Sequence, residues 1–177
     1  MLAYCAVIDD KQQQKDFEVM YYHYRKLLYR VAYEVLHDHH LAEDAVSQTF
    51  WKAAEHMDGI SQPVCPRTKR FLAIICERTA IDLYRKRQQQ DCASLDALEF
   101  DLPDRSVVVQ ADEEGTVAAA MARLPKTYRE VIFLRYVDDR PVREIAQLLS
   151  MTEANVYKQI ERGKKKLEQL LREEGQA

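Results

Sequence analysis

The residues best suited to chemistry in this 177-residue chain form a run of amide and basic side chains near the C-terminal end. Asparagine and glutamine can bond adenine edges in a major groove, arginine can bond guanine, and lysine can hold phosphates. A merely solvated helix face is the alternative interpretation of such a run. The candidates for base or phosphate contact are Asn155, Lys158, Gln159, Arg162, Lys165 and Lys166, with Lys164 beside them.

Two short helices joined by a tight turn would have to position this run. The apolar pattern predicts one helix over residues 142–150 and a second over residues 153–171. Thr152 is placed to cap the second helix, because its hydroxyl can accept a bond from an otherwise unpaired amide. This layout is typical of a helix-turn-helix, which favours DNA contact over a solvated face. The residues expected to face the shared core are Ile145, Ala146, Leu149, Val156 and Ile160.

The run His37-Asp38-His39-His40 invites a metal-site hypothesis, since its His-Asp pair is similar to that of helical metal-dependent phosphohydrolases. Such a site needs further His and Asp ligands from neighbouring helices. The only tempting candidates for that role are His23 and Asp82. A metal enzyme is therefore the remote alternative, and we expect no catalytic residue, no cofactor and no metal.

The composition indicates an all-α protein in the cytoplasm. Only four Gly and five Pro occur, against many strong helix formers, which disfavours turn-rich sandwiches and barrels. No stretch approaches the roughly 20 apolar residues that span a bilayer, and the first residues do not resemble a secretion signal. The four cysteines include no C-x-x-C pair, which favours reduced thiols over a disulfide framework or a zinc site.

The charge distribution predicts two small helical domains joined by an acidic linker. The net charge is −3, but residues 67–87 carry net +5 and residues 140–172 carry net +4, whereas residues 91–114 carry net −7. Two basic segments of this kind indicate two surfaces that meet phosphates. We expect domains over residues 1–89 and 113–177, with the linker over residues 90–112.

Apolar residues at three- and four-residue steps predict helices in both domains. In the first, they predict helices over residues 17–37, 41–56 and 69–89, with a loop over residues 57–68 where Asp58-Gly59, Pro63 and Pro66 interrupt the pattern. In the second, two further helices over residues 117–124 and 128–136 precede the helix-turn-helix.

Two separate stretches of this sequence carry distinctive motifs. The first contains Tyr24, Leu28, Tyr29, Ala32, Ala42-Glu43-Asp44-Ala45-Val46, Phe50, Ala80-Ile81-Asp82 and Arg85. The second contains Arg123-Leu124-Pro125-Lys126-Thr127-Tyr128-Arg129-Glu130-Val131-Ile132-Phe133-Leu134-Arg135-Tyr136 and Glu144-Ile145-Ala146-Gln147-Leu148-Leu149. These stretches resemble, in the family's own order, region 2 and region 4 of the sigma-70 family of RNA polymerase sigma factors. Together they cover about residues 15–88 and 113–172 and leave no room for a region 3 domain, as in the extracytoplasmic-function (ECF) type.

The resemblance implies a promoter-reading subunit that works on bacterial core RNA polymerase and promoter DNA. Region 2 would bind a coiled coil of the polymerase's largest subunit through Asp44, Ser47 and Gln48. The same region would capture the opened minus-ten strand, while region 4 would read the minus-35 duplex. The implied minus-ten contacts are Phe71, Arg78, Arg85 and Arg87. Packing in the protein core remains the alternative role for Phe71.

The sequence departs from the family pattern at several of these positions. Ser47-Gln48 replaces the frequent Gln-Glu, Glu77-Arg78 replaces Arg-Asn, and Ser150 replaces the turn glycine of region 4. In the recognition helix, Tyr157, Lys158 and Gln159 stand where Lys, Ser and Arg are frequent. A non-sigma helix-turn-helix regulator and a degenerate sigma-like antagonist therefore stay open as alternatives, as does the existence of an anti-sigma factor that holds this protein.

Overall fold

A computed structural model of the protein describes Tyr4, residues 6–91 and residues 116–174. Every regular element in those residues is helical and no strand occurs among them, which confirms the all-α prediction. The chain separates into two compact units. In chain order the helices are α1 (Lys11–Leu36), α2 (His39–Glu55), α3 (Pro66–Asp91), α4 (Thr116–Arg123), α5 (Lys126–Ile132), α6 (Val142–Leu148) and α7 (Glu153–Glu174).

The first unit packs α1, α2 and α3 against one another. The helix α1 starts where the Asp10 carboxylate accepts bonds from the amides of Gln12 and Gln13, and it ends at His37 in the left-handed conformation. An aromatic contact joins α1 to α2, since the rings of Phe17 and Phe50 meet edge-on with centroids 6.0 Å apart. The fully buried small residues Ala42, Ala45, Ala53 and Ala80 line the faces that α2 and α3 turn to the core.

Two helix starts in this unit differ from the sequence prediction. The pattern placed the start of the first helix at Phe17, but α1 begins six residues earlier because its first turn is polar and capped by Asp10. The pattern also assigned Pro66 to a loop, whereas Pro66 is the first residue of α3. Proline suits that position because the first helical residue needs no amide donor. A short 3-10 turn, Met57–Gly59, occupies part of the predicted loop.

The second unit packs α4, α5 and α6 onto the long helix α7. One cluster of its core joins Ala120 of α4 and Leu124, which directly follows α4, to Leu170 of α7. The helix α5 continues as one wider turn, Phe133–Val137, before the chain reaches α6. A Cβ atom on Gly163 would lie 3.1 Å from Cγ1 of Ile132, so the absence of a side chain lets α7 approach α5 closely.

Two parts of the predicted domain organisation fall partly or wholly outside the described residues. The acidic linker over residues 90–112 lies outside them except at its first two residues, and the first three residues of the second predicted domain, 113–115, lie outside them entirely. In the part of the chain that is described, no helix is long and apolar enough to span a membrane.

Candidate nucleic-acid and partner interfaces

The predicted helix-turn-helix is present as α6, a tight turn and α7. The turn is closed by two backbone bonds: Met151 N–H donates to Ala146 C=O at 2.8 Å, and Ser150 N–H donates to Gln147 C=O at 3.3 Å. Ser150 itself has φ 53°, in the left-handed region. This is the Schellman arrangement, in which glycine is usual at the left-handed position. The serine that departs from the family pattern thus adopts the backbone conformation that the glycine would have.

Packing in this element follows the sequence prediction. Ile145 and Val156 are fully buried, and Ala146, Leu149 and Ile160 are nearly so. Thr152 caps α7, because its Oγ1 accepts a bond from the backbone amide of Asn155 at 3.2 Å. The N-terminal turns of α7 are therefore held against α6 on one face and open to solvent on the other.

The predicted minus-35 residues lie together on the outer part of α7. The side chains of Asn155, Lys158 and Arg162 are exposed, as are those of Lys165 and Lys166. Because they recur at three- and four-residue steps opposite the buried positions, they form one continuous stripe. Gln159 is half-buried at the edge of the stripe, and its Nε2 lies 3.5 Å from the Asn155 side-chain oxygen. We call these six residues the α7 stripe.

Lys164 differs from the two lysines that follow it. Its ammonium lies over the ring of Tyr136, 5.0 Å from the centroid. A hydrogen bond from this ammonium to Tyr136 and the charge of the tyrosine raise the pKa of Lys164 above its ordinary value. Lys164 therefore contacts the wide turn that follows α5, whereas Lys165 and Lys166 extend into solvent.

A buried charged group beneath α6 was not predicted from the sequence. The Arg140 guanidinium donates to the Asp138 carboxylate at 2.7 Å and also to Glu144, which belongs to α6. Arg135 closes the group by donating to the backbone oxygen of Arg140 at 3.0 Å. These bonds fix the loop between the wide turn and α6, and so they orient the first helix of the helix-turn-helix. Their only sequence signal is a cluster of charges, which is typical of solvated loops.

In the first unit, the structure corrects the role expected for Phe71. Its ring is 1% exposed and belongs to the core formed with Leu72 and Ile75, so it offers no face to an unstacked base. The physical reason is register: Phe71 lies one turn before Ile75 on the buried face of α3. Core packing, the alternative role, is therefore the one that the structure supports.

The three arginines predicted for the minus-ten contact are placed differently along α3. Arg78 is half-buried, whereas Arg85 and Arg87 are exposed near the helix end. Arg87 donates to the Asp38 carboxylate at 3.1 Å. Asp38 also caps α2 by accepting from the Leu41 amide, and these bonds hold its carboxyl pKa below the ordinary value, with the Leu41 amide as the largest cause. Arg87 therefore ties the end of α3 to the start of α2.

The predicted partner-binding residues lie on the outer face of α2. Asp44, Ser47 and Gln48 are all exposed, and Gln48 Nε2 donates to the Asp44 carboxylate at 3.0 Å. The bond aligns an amide and a carboxylate one helical turn apart. Such a pair can meet basic and polar side chains of another protein.

Two side chains of the His37-Asp38-His39-His40 run, those of Asp38 and His39, have other contacts. Asp38 caps α2 and pairs with Arg87, while His39 Nδ1 is hydrogen-bonded to the Tyr29 hydroxyl. The rings of Tyr33 and His39 stack with centroids 4.8 Å apart. Among the residues with a described position, no group of three or more His, Cys, Asp or Glu side chains is arranged to hold a metal. The run instead joins α1, α2 and α3 at one end of the unit.

Models of two protein-family regions match this chain. The model of sigma-70 region 2 matches residues 20–90, and the model of sigma-70 region 4 matches residues 115–167. The ECF RNA polymerase sigma factor SigM of Bacillus subtilis (strain 168) is 26% identical over 153 residues, covering 85% of this chain and 92% of SigM. SigW of the same organism, also an ECF sigma factor, is 26% identical over 163 residues, covering 85% of this chain and 86% of SigW.

A solved structure of the sigma factor RpoE in complex with the anti-sigma factor NepR, from Bartonella quintana, is 20% identical, with a TM-score of 0.38. The match covers 89% of this chain and 98% of RpoE. The two region models, in their order, define the class of protein as a sigma-70 factor. The similarity to SigM and SigW, which covers most of both proteins, narrows that class to the ECF type. The chain belongs to the sigma-70 family, as a sigma factor of the ECF type.

Proposed function

We propose that this protein directs bacterial core RNA polymerase to specific promoters and starts transcription there. The observation that carries the proposal is the presence of sigma-70 region 2 and region 4 in one chain, in that order. A free-standing helix-turn-helix regulator has no need of region 2. The protein acts in the cytoplasm, where polymerase and DNA meet, and it contributes binding and positioning rather than catalysis of its own.

The proposed division of work assigns one surface to each binding event. Asp44, Ser47 and Gln48 on α2 bind core polymerase. Arg78, Arg85 and Arg87 on α3 hold the phosphates of the opened minus-ten region, with Arg87 positioned through Asp38. The α7 stripe enters the major groove of the minus-35 element, as recognition helices do.

Electrostatics makes polymerase necessary for tight promoter binding. The chain carries net −3 overall and net −7 in residues 91–114, and acidic groups oppose the approach of phosphates. Free protein should therefore bind duplex DNA weakly, and the complex with core polymerase should bind it far better. A gel-shift comparison with and without core polymerase measures this difference, and equally tight binding by the free protein would count against a sigma role.

The decisive experiment is run-off transcription of genomic fragments with core polymerase and this protein. Transcripts that require both components, and that start at a shared sequence element, are the expected result. Core polymerase binding without transcription would instead identify a sigma-like antagonist. DNA binding without any association with core polymerase would identify a non-sigma regulator. Both outcomes would refute the proposal.

A further inference from the structure

The α7 stripe covers only one side of the solvent-facing surface of α7. The other side carries Tyr157 and Glu161, which are both exposed and lie four residues apart, one turn along the helix. Lys158 separates the two sides, since at about 100° per residue it lies about 100° around the helix from Tyr157 and about 60° from Glu161. We call Tyr157 and Glu161 the α7 pair.

Tyr157 presents a large ring to solvent in the N-terminal part of α7. It is 57% exposed and is the fifth residue of the helix, within the turns of a recognition helix that reach base edges. Ala154, one turn earlier on the same side, is exposed and small, so it leaves room beside the ring. Covering the ring with an apolar group of the DNA is favourable because it removes apolar surface from water. In the major groove that group is the C5-methyl of thymine.

Glu161 places an acid among the basic residues of a helix that approaches phosphates. A nearby cation offsets its charge: the pKa of Lys164 is raised first by the hydrogen bond to Tyr136 and further by the charge of Glu161. The ammonium that Tyr136 holds therefore lies close enough to Glu161 to interact with its carboxylate. A carboxylate cannot bond a phosphate, but in the major groove it accepts a hydrogen bond from the N4 amino group of cytosine.

We infer that the α7 pair selects pyrimidines in the minus-35 element, with the Tyr157 ring covering the methyl group of a thymine and the Glu161 carboxylate accepting from the amino group of a cytosine. The α7 stripe then reads the bases and phosphates on the other side of the helix. The inference rests on the proposed function and names the bases that its recognition helix prefers at two positions.

The spacing of the α7 pair predicts the spacing of the two pyrimidines. One helical turn advances about 5.4 Å along the axis, and successive bases of one strand are about 3.4 Å apart. The thymine and the cytosine should therefore lie on the same strand, about one or two base steps apart. A library of promoters with a randomised minus-35 element, transcribed by the complex with core polymerase, identifies both positions. A preferred element without such a thymine and cytosine would overturn the inference.

The contact of Tyr157 is tested by removing one methyl group from the DNA. Deoxyuridine pairs as thymine does but lacks the C5-methyl. We expect its substitution for the selected thymine to weaken binding of the wild-type complex about 3- to 5-fold, the value of one buried methyl group. Tyr157→Ala should bind the two DNAs equally, whereas Tyr157→Phe should keep the wild-type ratio because it keeps the ring. A ratio in Tyr157→Ala equal to that of the wild type would overturn the assignment of the ring.

The contact of Glu161 is tested by its base preference. Glu161→Ala should lose the preference for cytosine at the second position, which we expect to be about 5- to 10-fold in the wild type. Glu168→Ala is the matched control, because Glu168 is an exposed acid two turns further along the same side of α7. Both variants remove one negative charge and should raise the affinity for all promoters alike, but only Glu161→Ala should change the preference. Equal preferences in the two variants would contradict the cytosine contact.

Three outcomes separate the inference from the proposed function. No promoter-specific transcription by the wild-type protein with core polymerase would refute the proposed function and the inference together. Specific transcription whose minus-35 preference is unchanged in Tyr157→Ala and Glu161→Ala would refute the inference alone. A uniform loss at every promoter in these variants, with the thymine and cytosine preferences retained, would assign the α7 pair to a protein contact and would equally overturn the inference. Circular dichroism of each variant confirms that it is folded.

Discussion

Arg140 and Asp138 form an ion pair at 2.7 Å in which both side chains are only 4% exposed. The pair lies in the connection to α6, and the same guanidinium also bonds Glu144 of that helix. Removing one member of a buried pair is costly because the remaining charge keeps its desolvation penalty without its partner. The placement of the helix-turn-helix therefore depends on residues that do not contact DNA in the proposed function.

We expect Asp138→Asn to destabilise the second unit by about 2 kcal/mol, since it removes one of the two carboxylates that offset buried Arg140 and leaves Glu144 as the other. Asp139→Asn is the matched control. Asp139 is the exposed neighbour at φ 56°, a conformation that asparagine tolerates well. Native-state hydrogen exchange of the α6 and α7 amides gives the free energy of opening for this unit. Equal values for the two variants would contradict the importance of the pair.

Ser150 offers a stabilising change at the turn of the helix-turn-helix. Its φ of 53° strains a residue with a Cβ atom, whereas glycine adopts that conformation freely. Ser150→Gly should stabilise the second unit by about 0.5–1 kcal/mol after the greater freedom of glycine in the unfolded chain is subtracted. Gln147→Gly, on the exposed face of α6, should destabilise it by about 1 kcal/mol. Opening free energies from hydrogen exchange should change in opposite directions, and a loss of stability in Ser150→Gly would refute the strain argument.

Cys76 should be the less reactive of the two cysteines with a described position. Burial, as the largest cause, raises the pKa of the Cys76 thiol to about 12, and the thiol donates to the Leu28 backbone oxygen at 3.3 Å. Only the thiolate is nucleophilic. Iodoacetamide at pH 8 should therefore alkylate half-buried Cys65 much faster than Cys76, as measured by peptide mass spectrometry. Comparable rates in the folded protein would contradict the burial of Cys76.

The same thiol gives a pH dependence of stability with a definite sign. The raised pKa means that the folded state keeps the Cys76 proton after the unfolded chain has lost it. This contribution is fully present below the pKa of the unfolded thiol, roughly 8.5, and is lost as the pH rises toward about 12. The free energy of unfolding should fall over that interval by less in Cys76→Ala than in the wild type. Identical slopes would remove Cys76 as the cause.

The sequence predicted the features that neighbouring residues determine, but not those that depend on packing between distant parts of the chain. The turn, the Thr152 cap and the buried face of α7 follow from residues within a few positions of one another, and all were predicted. The burial of Phe71 could not be decided locally, because a ring beside a basic loop suits either a core or a base contact. The Asp138–Arg140 pair was missed for a related reason: charges in a short connection indicate solvent until the packing of α6 is known.

The α7 stripe should contain residues of two kinds, which substitution can separate. Residues in the N-terminal turns of a recognition helix reach base edges, whereas those further along pass over phosphates. We expect Gln159→Ala or Arg162→Ala to cost about 1–3 kcal/mol of promoter binding and to change the base preference at particular positions of the minus-35 element. Lys165→Ala should weaken all promoters alike and lower the salt slope by about one.

A library of promoters with a randomised minus-35 element, transcribed by the complex with core polymerase, measures both effects at once. Lys164→Ala is the matched control for Lys165→Ala: it removes the same charge from the neighbouring position, but from an ammonium that lies over Tyr136. Its effect on the salt slope should be smaller than that of Lys165→Ala, since this contact turns the ammonium away from the stripe. Unchanged minus-35 preference in Gln159→Ala and Arg162→Ala would contradict the assignment of these two residues to base contacts.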